Sequence, residues 1–173
     1  MSWIDIAWPM MGGASLALGL VHLFSWFQQR RQREALVFVV AAIAVAVLSL
    51  QELQAMRSAD PREFAEVVRW GNLTLAAVMI SLALFVRLRF NAGRVWILGV
   101  IIRMRAFLLL PNFLGESNLH FREVRAMVPL DWLGVTVYAP VGTANPWAFA
   151  AQATSVLLLV YLVDVVLPRP TRP

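Results

Sequence analysis

Residues 35–56 read ALVFVVAAIAVAVLSLQELQAM, and this stretch decides the fold class because Glu52 is its one charged residue. A helix needs about 20 mostly apolar residues to cross the roughly 30 Å hydrocarbon layer of a bilayer. A helix on a water-soluble domain of this size would carry a polar face, which this stretch lacks. Four further stretches are similar: Trp8–Phe27, Trp70–Phe90, Val95–Leu114 and Trp147–Leu167. With Ala35–Met56 they predict an all-α integral membrane protein, a five-helix transmembrane bundle forming one domain over residues 1–173.

The composition agrees with a chain that resides in lipid. Hydrophobic residues make up 60% of it and the mean hydropathy is +0.70, whereas apolar residues are roughly half of an ordinary globular chain. The absence of cysteine excludes disulfides, thiolate metal sites and a cysteine nucleophile. The net charge of +5 comes from arginines that flank the apolar stretches. The expected partner of this charge is therefore the lipid bilayer, and no nucleic acid is expected.

The density of arginine alternates from one connection to the next. Residues 28–34, 87–94 and 168–173 hold eight arginines and one acid, and the opposite connections hold five arginines and seven acids. The positive-inside rule then predicts an N-terminus outside and a C-terminus in the cytoplasm. No small-residue cleavage site follows Met1–Met10, so the first stretch is expected to remain as a span.

Two outer connections have features of ordered structure. Asp60 and Pro61 are typical of a helix start, and the residues that follow predict a short amphipathic helix on the outer surface, over residues 57–69. The longer loop, residues 115–146, contains the β-branched run Gly134–Tyr138 followed by turn residues. This pattern predicts an ordered loop with a strand or a small β-hairpin that caps the bundle.

Ionisable residues inside spans are costly and usually face a bundle interior. Glu52 and Arg105 both fall in the outer halves of their spans, so an ion pair between them is geometrically possible, with interfacial wetting of Glu52 as the alternative. Arg105 lies near the midplane, so a neutralising or hydrogen-bonding partner is expected for it. His22 and Asp164 lie near the inner ends of their spans and could form a second pair. A packing role for His22 and wetting of Asp164 are the alternatives. Arg103 is about 200° from Arg105 around a helix, so the two cannot share a face.

Other polar and small residues have simpler interpretations. Small residues recur at three- and four-residue spacing along the first span, beginning with Gly12, Ser15 and Gly19, which favours close helix packing. Haem is not expected, because His22 lies deep in a span and His120 lies in the outer loop. No phosphate-binding glycine loop, zinc-binding helix or nucleophile elbow is present in the sequence. We therefore expect no cofactor, no metal site, no catalytic residues and no enzymatic activity.

Short motifs occur in order along nearly the whole chain. They are Leu20-Val21-His22-Leu23, Leu50-Gln51-Glu52-Leu53, Val68-Arg69-Trp70, Phe85-Val86-Arg87, Arg105 with Asn112-Phe113, Asn118 to Glu123, Asn145-Pro146-Trp147 and Val163-Asp164. Together they resemble the multi-pass N-terminal membrane module that precedes PAS and histidine-kinase domains in many bacterial two-component sensors. The resemblance implies signal perception and transmission in a bacterial inner membrane. It also matches at Arg105 and not at Arg103, which favours Arg105 as the inward arginine.

The resemblance has one departure. No phosphoacceptor helix or nucleotide site follows the last span before Pro173. The chain is therefore expected to be a free-standing module, a fragment, or a subunit whose output lies elsewhere. The expected partner is a membrane or cytoplasmic signalling protein, or a second copy in a homodimer.

The first functional hypothesis is a sensory or signal-coupling membrane module that perceives an extracytoplasmic or intramembrane stimulus. Its input site would comprise Glu52, Arg105, Asn112, Arg122 and Glu123, and His22 and Asp164 would couple it through the membrane. The alternative is a structural accessory subunit of a larger bacterial membrane complex. A third hypothesis is a proton- or ion-conducting protein that uses His22, Glu52 and Asp164.

Overall fold

The computed structural model describes residues 2–115 and 118–166. Within them the chain forms five helices and a two-stranded sheet: α1 (Ile4–Gln28), α2 (Arg33–Arg57), α3 (Pro61–Phe90), α4 (Val95–Leu114), β1 (Phe121–Trp132), β2 (Val135–Ala144) and α5 (Trp147–Val166). All five helices are long and apolar enough to cross a membrane. The predicted helical, multi-pass membrane architecture is confirmed. The segment 168–173, the predicted end at Leu167, and Glu116 lie outside the described residues.

Helix α3 differs from its prediction. The separate outer helix expected before Trp70 does not exist, because Pro61–Phe90 is one continuous helix of 30 residues. The predicted start is correct, since the Asp60 side chain accepts a hydrogen bond from the backbone N–H of Arg62 at 3.0 Å. The helix ends where Asn91 adopts a left-handed conformation, φ 47°. At about 1.5 Å per residue α3 is ~45 Å long, so it exceeds the hydrocarbon layer and its polar first turns project beyond it.

Helices α1 and α2 pack closely through small residues. A methyl group added to Gly19 would lie 3.0 Å from the Cβ of Ala42, and one added to Gly12 would lie 3.5 Å from the carbonyl oxygen of Ala46. The packing interpretation of the small-residue stripe is therefore confirmed at these two glycines. Short connections make α1, α2 and α3 successive antiparallel neighbours.

The principal core lies where α3 meets α4 and α5. It is formed by apolar side chains from all three helices, with Tyr161 fully buried among them: Met79, Ala83, Val86, Ile97, Leu98, Ile101, Leu158 and Tyr161. Gly93 adopts φ +86° in the α3–α4 connection, and a methyl group there would lie 2.6 Å from a ring carbon of Tyr161. Glycine is required at this position because it removes both the backbone strain and the collision.

The outer loop forms a β-hairpin, one of the two alternatives predicted for it, but the hairpin is longer, and Pro140 and Gly142, which the prediction took as turn residues, lie within β2. Strands β1 and β2 pair antiparallel from Phe121 opposite Ala144 to Trp132 opposite Val135, with two register shifts near the start of β1. Gly142 permits the bulged pairing, since a methyl group there would lie 2.0 Å from the carbonyl oxygen of Glu123.

The hairpin lies across the ends of the helices. At its root the ring of Phe121 meets Phe64 of α3 edge-on, with centroids 6.2 Å apart. At its tip Trp132 meets Trp3, which precedes α1, with centroids 5.0 Å apart. We call this end of the bundle the hairpin face, and the opposite end, which carries the connections at residues 29–32 and 91–94, the arginine face.

Candidate functional site

Four buried asparagines fasten the hairpin root to the helices: Asn72, Asn112, Asn118 and Asn145. We call this group the asparagine latch. Its centre is Asn112 on α4, which has no exposed surface. The Asn112 amide donates to the backbone carbonyl of Arg69 at 2.9 Å, and its side-chain oxygen accepts from the Asn72 amide at 3.1 Å. The same oxygen accepts from the backbone N–H of Leu119 at 3.3 Å. One side chain therefore joins α4, α3 and the outer loop.

The loop half of the latch holds the start of the hairpin and the start of α5. The Asn118 side chain accepts hydrogen bonds from the backbone N–H groups of His120 at 2.9 Å and Phe121 at 2.8 Å. The Asn145 amide donates to the backbone carbonyl of Asn118 at 2.7 Å, and its oxygen accepts from the backbone N–H of Trp147 at 3.2 Å. Buried polar networks with satisfied members specify a single arrangement. The latch therefore fixes the hairpin root relative to α3, α4 and α5.

Arg105 lies deeper in the same helix as Asn112 and is 2% exposed, whereas Arg103 is exposed. The prediction that Arg105 is the inward arginine is confirmed. Its terminal Nη2 donates to the backbone carbonyl of Ala151 at 3.0 Å and to the hydroxyl of Ser155 at 2.9 Å. Its Nε is buried without a hydrogen-bond partner. The guanidinium thus joins α4 to the backbone of α5.

Arg105 has the hydrogen-bonding partners expected for it, and the possible ion pair with Glu52 is not formed among the described residues. Among the described residues Arg105 has no carboxylate partner, and its donors are directed at α5. The physical reason is that intramembrane arginines also pair with backbone carbonyls, and the Ala151 carbonyl and the Ser155 hydroxyl accept from Arg105. Glu52, at the other side of α3, borders a cavity instead.

That cavity, which we call the α2–α3 cavity, has a volume of about 180 Å³. It is partly open and is lined mainly by side chains of α2 and α3, with His120 contributed by the outer loop. Its polar lining comprises Gln51, Glu52, Asn72 and His120. The Gln51 side-chain oxygen is buried without a hydrogen-bond partner. Burial, and secondarily the charge of Arg105, lower the pKa of His120 below its usual value.

Arg122 and Glu123 were predicted to share a site with Glu52 and Arg105, and the structure places them elsewhere. They border a second cavity at the hairpin root, about 200 Å³ in volume, together with Arg62 and Arg69. Glu123 also pairs with Arg125 at 3.3 Å. The five predicted input residues are therefore divided between the α2–α3 cavity, the buried helix core and the hairpin root.

His22 and Asp164 do not pair. The His22 ring packs against Phe38, with centroids 4.0 Å apart, and stacks near Phe85 at 6.5 Å. Asp164 instead accepts from the backbone N–H of Arg94 at 3.0 Å and lies 3.3 Å from the Arg94 side chain. The predicted pair is wrong because the start of α4 offers Asp164 both an unpaired N–H and a cation. His22 has the packing role that was its alternative interpretation.

Sequence reasoning found Asn112 and missed the rest of the latch and Gln51 as functional candidates. Only the ionisable residues inside the spans were taken as candidates. Neutral amides were left out, although Asn72 is a polar residue inside a predicted span. The partner of Arg105 could not be found from side chains alone, because it is the backbone of Ala151. No group of three or more potential metal ligands occurs among the residues that the structure describes.

Comparison with known proteins finds no match among family models, curated proteins or solved structures. The resemblance to sensor membrane modules stays a prediction of the sequence. The latch, Arg105 and the α2–α3 cavity are the structural features that bear on function.

Proposed function

We propose that the chain is a sensory or signal-coupling membrane module, similar to the input domain of a bacterial sensor histidine kinase. In this proposal the hairpin face is extracytoplasmic, and the arginine face contacts the cytoplasm across a bacterial inner membrane. The single observation that supports it best is the set of hydrogen bonds from Asn112, which ties the outer loop to α3 and α4 inside the bundle.

Two further contacts extend this connection along α4 and α5. Arg105 is seven residues from Asn112, about 10 Å deeper, and holds the Ala151 carbonyl of α5. At the arginine face Asp164 of α5 binds the start of α4 at Arg94. A displacement of the hairpin root would therefore act on α4 and, through it, on the inner end of α5. A stimulus drives such a change when it binds two arrangements with different affinity.

A chimaera tests the proposal. The end of α5 is joined to a histidine-kinase domain, and autophosphorylation is measured in membranes for Arg105→Leu and its matched control Arg103→Leu. We expect Arg105→Leu to change basal autophosphorylation at least several-fold, because it removes the Arg105 hydrogen bonds that join α4 to α5, and Arg103→Leu to leave it near the parent value. Equal output from all three chimaeras, with normal membrane insertion, contradicts the proposal.

A second candidate function is favoured by the surface of the hairpin. Apolar side chains are exposed along both strands and at the tip: Val128, Leu130, Leu133 and Val141. In a structural accessory subunit these side chains would contact another protein of a larger membrane complex. Copurification of one stoichiometric partner from native membranes, lost in Val128→Ser and Val141→Ser, supports this function. A chain that purifies alone in mild detergent contradicts it.

A further inference from the structure

The α2–α3 cavity has the size of a small-molecule site. Its volume of about 180 Å³ exceeds the ~150 Å³ of an engineered cavity that admits benzene. It can therefore hold roughly six to eight non-hydrogen atoms. The cavity is partly open, so a ligand can enter without separating α2 from α3.

The cavity lining includes two acceptor groups, the Gln51 side-chain oxygen and the Glu52 carboxylate. The buried Gln51 oxygen has no hydrogen-bond partner among residues 2–115 and 118–166. A buried acceptor left unsatisfied is unfavourable, and a ligand N–H donor that reaches it would satisfy it. The Glu52 carboxylate lies on the same wall, one residue further along α2. The Asn72 amide, by contrast, is already engaged with Asn112.

The remaining lining does not supply a positive charge. His120 is kept neutral by its lowered pKa and can accept a hydrogen bond through one ring nitrogen. No arginine is among the described residues that line the cavity, and Arg105 directs its guanidinium to α5. Phe64 contributes an aromatic wall, which attracts a desolvated cation. The Glu52 carboxylate and the Phe64 ring, with no arginine among the described lining residues, therefore favour a small cation with N–H donors.

We propose that the α2–α3 cavity binds a small organic ammonium ion, with Glu52 as its counter-ion and the Gln51 oxygen as a hydrogen-bond acceptor. This inference rests on the proposed function only in assigning the ion as the stimulus of the sensory module. A carboxylate of the same size meets repulsion from Glu52. A neutral alcohol satisfies Gln51 but leaves the charge of Glu52 without a counter-ion.

Binding is tested with the purified full chain in lipid nanodiscs by calorimetry and thermal unfolding. The probes are propylammonium, propionate and 1-propanol, which have similar size and different charge. We expect saturable binding and a raised unfolding temperature with propylammonium alone. Glu52→Gln and Gln51→Leu should each weaken binding at least tenfold, whereas Glu66→Gln, an exposed acid on α3 outside the cavity, should leave it unchanged.

A steric variant makes the test independent of charge. A Cβ atom added to Gly71, which lines the cavity, meets no atom within 4 Å, so this position of the wall has room for a larger side chain and Gly71→Leu is expected to narrow the cavity. It should abolish propylammonium binding, and Gly13→Leu, equally open but on α1, should not. Binding that survives Glu52→Gln or Gly71→Leu, or that propionate matches, overturns the site. The chimaeras with Arg105→Leu test the proposed function without any ligand, so the two failures are distinguishable.

Discussion

At the residue scale, Gly93 is the position least able to accept a side chain in the α4–α5 half of the bundle. Gly93→Ala places a methyl group 2.6 Å from the buried Tyr161 ring, at a backbone φ of +86°. Left-handed strain and overpacking each cost about 1–3 kcal/mol, so we expect a loss of about 2–4 kcal/mol of unfolding free energy. Denaturant unfolding in detergent micelles measures this loss.

The matched control is Gly99→Ala in α4. A methyl group there meets nothing within 4 Å, and alanine is the better helix former by up to about 1 kcal/mol. Gly99→Ala should therefore be neutral or stabilising. A comparable loss from both substitutions would show that the Tyr161 contact is not the cause.

The lowered pKa of His120 makes the stability of the hairpin root depend on pH, and it fixes the sign of that dependence. Burial, and then the Arg105 charge, keep the ring neutral in the folded chain, whereas in the unfolded chain it titrates near 6.5. As the pH falls below that value the unfolded state binds more protons, so stability decreases. Unfolding measured from about pH 8 to about pH 5 should show this loss, and His120→Gln should reduce it. An identical pH slope in the variant would contradict the assignment.

At the element scale, the tip of the hairpin contains a strained residue. Leu133 and Gly134 have φ of 54° and 76° between the paired residues Trp132 and Val135, as a type I′ turn requires. A left-handed conformation costs a leucine roughly 1–2 kcal/mol, and asparagine adopts it more readily. Leu133→Asn should therefore raise the amide-exchange protection of β1 and β2 by about 1 kcal/mol.

The comparison for this prediction is Leu130→Asn, because Leu130 is also exposed but lies in the extended part of β1. It removes a similar apolar side chain without relieving backbone strain. Equal protection in both variants would mean that the turn does not limit hairpin stability.

Some helices and strands could be predicted from the sequence, and others could not. Length and hydropathy were sufficient for the five helices, because a span has few alternatives in lipid. The sequence did not predict that α3 continues through Arg69. Polar residues near a membrane interface are compatible both with a helix end and with a continuous helix. Strand β1 was missed because Arg122, Glu123 and Arg125 interrupt any simple alternation. Its register depends on bulges that no composition rule reveals.

For the candidate site, the sequence indicated which side chains need a hydrogen-bond partner but could not identify a partner that is a backbone atom. Arg105 was recognisable because a charge deep in a span needs compensation. The carbonyl of Ala151, which compensates it, carries no side-chain signal. The Glu52 and Asp164 pairings were guessed from charge alone, and each acid has a different environment in the structure. Side-chain charge therefore indicated where polar contacts lie and not which atoms meet.

At the scale of the whole molecule, contacts at the two faces join helices that are distant in sequence. The hairpin runs from the latch at α4 and α5 to Trp3 beside α1, so it bridges both halves of the bundle at one face. The Asp5–Arg57 ion pair adds a link between α1 and α2 at that face. At the arginine face Arg94 and Asp164 join α4 to α5. In the proposed function, the hairpin would respond to the relative position of the helices at one face, and α5 would transmit the change to the other face.

The orientation of this assembly is testable because the sequence contains no cysteine, so single cysteines report their own location. Ala59→Cys and Thr136→Cys mark the hairpin face, and Gln29→Cys and Ala92→Cys mark the arginine face. Arginine-rich connections are retained in the cytoplasm. A membrane-impermeant maleimide should therefore label the first pair in intact cells and the second pair only after the membrane is opened. Labelling of Gln29→Cys and Thr136→Cys from the same side would contradict an odd number of crossings between them, and with it the transmission of a signal from hairpin to α5.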